Sequence, residues 1–195
     1  MSCSASLRSC SAAAAARLKP AMTESTLPEM AEAVMAAAGK AGLTIVTAES
    51  CTAGALASLL AATPGAGSVL HGGFVSYSKD FKTRCLGVPA GLIAEQTAVS
   101  GDVAIAMARC ALQRSPGADI AVAITGVLGP EPDEDGNPVG LVHVAAARGE
   151  KIASARTSGE GEPAIILHES LQCALELIGH LIAADDAMTP APKRA

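Results

Sequence analysis

The chain has 195 residues, a length at which a single domain can bury a substantial core without disulfide or metal staples. Half of it is hydrophobic but only 2% is aromatic, so Ala, Val, Ile and Leu must build the interior. The net charge is -5 with no basic stripe outside the short tails, and no apolar run approaches the ~18–20 residues that span a bilayer; neither nucleic acid nor a membrane is an expected partner.

Residues 1–22 are rich in Ser and Ala, carry Arg8, Arg17 and Lys19, and contain no acid. That composition admits an organellar transit peptide. The preferred reading is a disordered or over-extended start ahead of Met22. Residues 23–184 show no linker and read as one domain; residues 185–195 read as a flexible tail. Leu27 to Lys40 predicts a helix, with Pro28 in its first turn and Gly39 or Gly42 ending it. Leu43 to Thr47 is a β-branched run and predicts a buried strand. After Ser50-Cys51-Thr52, Ala55 to Ala61 is helical and Pro64-Gly65 closes it.

Ser68 to Ser78 predicts one bent strand or two short ones around Gly72-Gly73. Lys79 to Leu86 predicts a short helix. Ser100 is placed to cap the next helix, whose stripe is Val103, Ala104, Met107, Ala108, Ala111 and Leu112. Ala118 to Thr125 is the clearest strand. A Gly/Pro/acid loop then leads to a strand over Val139 to Ala147, with a hairpin partner at Lys151 to Thr157 and a final helix from Pro163 to Ala183. Strands alternating with helices, then two strands in succession, predict an α/β domain: a three-layer α/β/α sandwich with a mixed, mostly parallel sheet.

Ser50 lies where a buried strand gives way to a helix, a place rich in free backbone N–H groups. It is read as a nucleophile or as an ordinary helix cap; the cap is the commoner role for a lone serine. A serine nucleophile needs a base. His71, His143, His168 and His180 sit in no triad context, so a desolvated lysine is the alternative. Residues 74–82 supply one. Phe74, Tyr77 and Phe81 are all the aromatics of the chain, and they can wall a pocket and desolvate Lys82. The bland reading is a core corner with exposed lysines. Thr125, Gly126 and Gly129 follow the carboxyl end of a strand, where ligands of open α/β sheets bind. Glu131, Asp133, Glu134 and Asp135 do not fit a calcium loop and read as solvated. Cys51 is a rival nucleophile. The six cysteines, Cys3, Cys10, Cys51, Cys85, Cys110 and Cys173, lack C-x-x-C or zinc spacing and read as reduced thiols of a cytoplasmic protein.

Taken in order, Ala48-Glu49-Ser50-Cys51-Thr52-Ala53-Gly54, Val75 to Lys82, Leu86-Gly87-Val88, Ala98-Val99-Ser100, Thr125 to Pro130 and Pro138 to Val142 resemble the CinA carboxyl-terminal domain family. The resemblance covers roughly residues 28–182 and does not extend to the amino-terminal pyrophosphatase-like domain of full-length members. It implies an α/β/α fold, a homodimer or higher oligomer, and no metal or cofactor. It further implies a nicotinamide-nucleotide amidase of NAD salvage, which converts nicotinamide mononucleotide to nicotinic acid mononucleotide and ammonia. The resemblance maps a catalytic role onto Ser50, Tyr77, Lys82 and Thr125, with Ser50 the nucleophile and Lys82 its base, directly or through Tyr77. Substrate contacts are expected from Glu49, Cys51, Thr52, Ala53, Gly54, Phe74, Gly126 and Gly129, with the helix start at Thr52 to Gly54 holding the oxyanion.

Three positions depart from the family pattern. Ala53-Gly54 stands for the common Gly-Gly, the loop after Pro130 is acidic, and residues 159–167 lack the arginines that begin the last helix in active members. Arg84, Arg148, Lys151 and Arg156 are the cations left to hold a phosphate. Two alternatives therefore stand beside the amidase: the same Ser–Lys machinery acting on a different amide, and a non-catalytic nucleotide-binding module.

Overall fold

Two strands set the architecture through what they show to each side. In the computed structural model, which describes residues 25–184, β1 (Ile45–Glu49) and β3 (Ile120–Gly126) run parallel at the centre of a five-stranded sheet. The expected extension over 1–22 and tail over 185–195 lie outside the described residues. Successive side chains of a strand point to opposite faces. Ile45, Ile120, Val122 and Ile124 face one core cluster, which they share with helices α1 (Leu27–Ala41) and α6 (Pro163–Ala183). Val46, Ala48, Ala121 and Ala123 face the other, under α5 (Gly101–Arg114). That second face is mostly alanine, and α5 answers with fully buried Ala104, Ala108 and Ala111. Small side chains on both partners let helix and sheet close without aromatic filler.

The chain leaves β1 through α2 (Ala55–Ala61) to β2 (Leu70–Val75), which lies parallel on one side of β1. It then runs through α3 (Lys79–Phe81), a π-helical turn (Lys82–Leu86), α4 (Ala90–Gln96) and α5, and returns as β3 on the other side. The carboxyl ends of β1 and β3 therefore flank a point where connections diverge, the usual crevice of an open α/β sheet. The order is β2-β1-β3-β4-β5, with β4 (Leu141–Arg148) and β5 (Lys151–Ser158) closing it.

The three layers and the mixed sheet are as the sequence predicts. The expected parallel majority is not found. Two of the four pairings, β1–β2 and β1–β3, are parallel and two, β3–β4 and β4–β5, are antiparallel, and the antiparallel ladders are the longer. The reason is local: the tight turn at Gly149-Glu150 and the loop between β3 and β4 contain no crossover helix, and a parallel return needs one. Helix α4 was not anticipated, because seven residues with two large apolar side chains carry no readable period. By length and composition α6 could cross a membrane. Here Ile166, Leu171, Ala174, Leu175 and Ile178 are buried against the sheet and α1, as in a core helix.

Candidate active site

The site begins with how β1 ends. Ser50 N–H donates to Ile124 O (2.9 Å), extending the parallel ladder by one residue before the chain turns. The turn is closed by a buried carboxyl group. Glu49 Oε2 accepts from Thr52 Oγ1 (2.7 Å), Gly54 N (3.1 Å) and Leu56 N (3.0 Å), and its Oε1 accepts from Ala57 N (2.8 Å). These are donors at the start of α2 with no partner inside the helix. Capping from within obliges the chain to double back, and Ala53 takes a positive φ of 50° to do so.

This turn presents Ser50 to Lys82. Ser76 N–H donates to Glu49 O (2.7 Å), which keeps the chain beyond β2 beside β1. Ser78 Oγ accepts from Phe81 N (3.1 Å) and starts α3, and the π-helical turn carries Lys82 inward. Lys82 is 1% exposed. Its Nζ lies 2.6 Å from Ser50 Oγ, 3.1 Å from Ser76 O and 3.0 Å from Tyr77 O. A neutral amine has two N–H groups and one lone pair. The two carbonyls can only accept, so they take the two N–H groups and leave the lone pair to the hydroxyl of Ser50. Burial also pulls the Lys82 pKa down to about 8, an effect the neighbouring Cys51 only partly offsets. The geometry sets a serine hydroxyl against a buried lysine of lowered basicity.

Cys51 is not a competitor. Burial pushes its thiol up to about 12, against the pull of the Lys82 charge and of the Cys51 and Thr52 N–H groups. The thiolate is the reactive form of a cysteine, and almost none exists here near neutrality.

Ser50 and Lys82 open into a pocket of about 440 Å³. Tyr77, Val99, Thr125 and Gly126 contribute to its walls, and Leu128 to Glu134 cover one side. None of the four histidines lines it. Thr125 is fully buried, and its hydroxyl donates to Ala98 O (2.7 Å), tying the end of β3 to the segment before α5. Gly126 is required by packing: a Cβ there would lie 2.7 Å from Leu141 O and 2.8 Å from Val142 Cα. Gly126→Ala is expected to cost about 1–3 kcal/mol in chemical denaturation, because β3 and β4 must part at the pocket edge. Wild-type stability would show that the two strands yield there freely.

Of the residues expected at the site, Ser50, Cys51, Tyr77, Lys82, Thr125, Gly126 and Gly129 converge on the pocket. Five do not line it. Glu49 is consumed by capping. Thr52 is buried with its hydroxyl on Glu49, Ala53 is exposed, and Gly54 is half-buried with its N–H on Glu49. Phe74 packs into the core cluster under α5, because its place on β2 points it at that face. Capping also changes the expected oxyanion donors: Gly54 N–H is spent on Glu49 and Ala53 N–H on Ser50 O. Tyr77 contributes mainly its backbone. Its carbonyl holds Lys82 while its side chain is 70% exposed at the rim, and the direct 2.6 Å contact needs no phenol relay.

Sequence reasoning missed the acidic loop. Lys79 Nζ bonds Glu134 (2.8 Å) and Asp135 (2.7 Å), which fastens the loop across the pocket mouth. The available signal was a lysine three residues before Lys82, facing a four-acid loop.

The CinA C-terminal domain family model matches residues 27–182. A CinA-like protein of Mycolicibacterium gilvum is 53% identical over 118 residues, 60% of this chain and 28% of that protein. A CinA-like protein of Mycolicibacterium vanbaalenii is 48% identical over 140 residues, 71% of this chain and 33% of that protein. The chain thus spans a third or less of the length of these relatives. Among solved structures, a CinA superfamily protein of Escherichia coli superposes with a TM-score of 0.76 at 33% identity, covering 80% of this chain and 90% of that one. A competence/damage inducible protein of Agrobacterium tumefaciens gives 0.76 at 34% identity, covering 83% and 99%. With the match running from α1 through α6, the chain belongs to the CinA C-terminal domain family.

Proposed function

We propose that this chain is an amidohydrolase with Ser50 as nucleophile and Lys82 as general base, acting on the carboxamide of nicotinamide mononucleotide. The observation that carries the chemistry is a buried lysine 2.6 Å from a serine hydroxyl at the floor of a pocket. The choice of substrate draws on the family resemblance.

Neutral Lys82 takes the Ser50 proton as Ser50 Oγ bonds to the amide carbon. The carbonyl oxygen becomes an oxyanion. The donors that neither Glu49 nor the turn's own carbonyls claim are the N–H groups of Cys51 and Thr52, which lie against the Cys51 sulfur and would turn to the oxyanion. The C–N bond breaks as protonated Lys82 gives its proton to the leaving nitrogen, and ammonia departs. Water then attacks the acyl ester and gives a proton to Lys82. The Oγ–carbon bond breaks, Ser50 recovers its proton, and the carboxylic acid is released.

Incubation with nicotinamide mononucleotide is expected to release ammonia and nicotinic acid mononucleotide in equal amounts. The pH dependence follows from the base. Lys82 acts when neutral, so kcat/KM should rise with pH through about 8 and level off above it. A profile that falls across that range would remove Lys82 as the base. Absence of both products, with no acylation of Ser50 by an activated amide, would remove the amidase.

A further inference from the structure

The charges around the pocket bear on what is attached to the amide. Glu131, Asp133 and Glu134 line it. Asp133 is held ionised: burial alone would raise its pKa, but hydrogen bonds from the Asn137 side chain (2.8 Å) and from the backbones of Asn137 (2.8 Å) and Asp135 (3.0 Å) outweigh burial and keep it below the usual range. Among the described residues two cations line the pocket. Lys82 must be neutral to act. Lys79 is claimed by Glu134 and Asp135, which raise its pKa. Among the described residues no arginine lines the pocket: Arg84 pairs with Asp80 (2.7 Å), Arg114 donates to Leu86 O (2.6 Å), and Arg148 donates to Leu181 O at the other end of the sheet. A phosphate dianion would therefore enter among carboxylates with both lysines already committed. A cationic ring would meet those carboxylates and the exposed ring of Tyr77, both of which attract positive charge.

We propose that the acidic loop makes this pocket select amides carried on a cationic ring without a phosphate, the class of N-alkylated pyridinium carboxamides. Glu131 and the Lys79–Glu134–Asp135 bridge are its specificity determinants. This rests on the Ser50–Lys82 reading for turnover and deepens it by ranking the dephosphorylated counterpart above the mononucleotide, which is still turned over.

The test compares nicotinamide riboside with nicotinamide mononucleotide. In the wild type, kcat/KM for the riboside should exceed that for the mononucleotide by about tenfold or more at low salt, as like-charge exclusion requires. Raising the salt should shrink the ratio by screening the carboxylates. The double variant Glu134→Gln, Asp135→Asn should shrink it further by freeing Lys79 for the phosphate. Binding of both compounds to Ser50→Ala reads the same selection without turnover. Tighter riboside binding with no hydrolysis of either compound would sustain the selection and remove the amidase. A mononucleotide that is hydrolysed and bound as well as or better than the riboside, at a ratio unmoved by salt, would overturn the selection and leave the amidase standing. Equal weak binding of both would also overturn it.

Discussion

Replacing Lys82 with methionine is expected to lower kcat for amide hydrolysis by about 10³-fold or more, and arginine is expected not to restore it. In the proposed mechanism the side chain serves both halves of the reaction: it takes the Ser50 proton on attack and gives a proton to the departing nitrogen. Methionine keeps the volume but has no lone pair of comparable basicity. Arginine keeps the charge but cannot lose a proton in a protein, so it cannot be a base. The two substitutions thus separate chemistry from packing. A lysine that merely held the Ser76 and Tyr77 carbonyls would be partly replaced by arginine, whose N–H groups can reach the same acceptors. Ser50→Ala should be as damaging as Lys82→Met, and the double variant little worse than either, because each single change already disables the unit. Methionine leaves Ser76 O without its donor and Tyr77 O with only the Ser50 hydroxyl at 3.4 Å, so thermal unfolding should accompany the rates; a loss of about 1–3 kcal/mol is expected and does not by itself explain a thousandfold slower turnover. Rates within tenfold of wild type for either variant would exclude Ser–Lys chemistry.

Much of this site can be read before the fold is known, and the division has a physical basis. Strand β3 shows in the sequence as a near-continuous apolar run and β1 as a short β-branched one, because both faces of the central sheet are covered. Ser50 and Lys82 are 32 residues apart, and no periodicity links them; only the ordered set of motifs does. What stays hidden depends on where the backbone points. Tyr77 was expected to relay a proton or to line the pocket with its side chain, yet its carbonyl makes the contact with Lys82, and residue type says nothing about a carbonyl. Phe74 was expected beside the ring of the substrate, but one position along a strand reverses the face, and it points into the core. The acids at 131–135 looked solvated because their partner Lys79 lies more than 50 residues earlier, so the bridge exists only once β2 and the β3–β4 loop meet at one end of the sheet. The antiparallel weight of the sheet was hidden for a related reason: the loop after β3 carries no helix, and its length alone does not say so.

Glu49 gives the second large effect, and it falls on stability first. Its carboxyl group accepts from one hydroxyl and three backbone N–H groups, and the residue is fully buried. Glu49→Ala would leave all four donors without a partner in a place water reaches poorly. At about 1–3 kcal/mol for each orphaned group, and less than full additivity, a loss of about 4 kcal/mol or more is expected in denaturant unfolding. Glu49→Gln is the informative companion. Its oxygen can serve the three donors that share Oε2, but its NH₂ then faces the N–H of Ala57, so one donor is orphaned and repelled. The expected loss is about 1–3 kcal/mol. Thr52→Ala removes one donor rather than an acceptor and should cost only about 1 kcal/mol. The functional consequence follows from position. Glu49 touches no reacting atom; it fixes the turn that aims Ser50 at Lys82. Glu49→Gln should therefore lower kcat more than it raises KM, while the apparent pKa of the rate profile stays near about 8, because Lys82 keeps its burial. A Glu49→Ala protein as stable and as active as wild type would mean that the turn is held by the strand hydrogen bonds of Ser50 and Ser76 alone. A profile displaced by more than a unit would instead place Glu49 in direct electrostatic contact with the base.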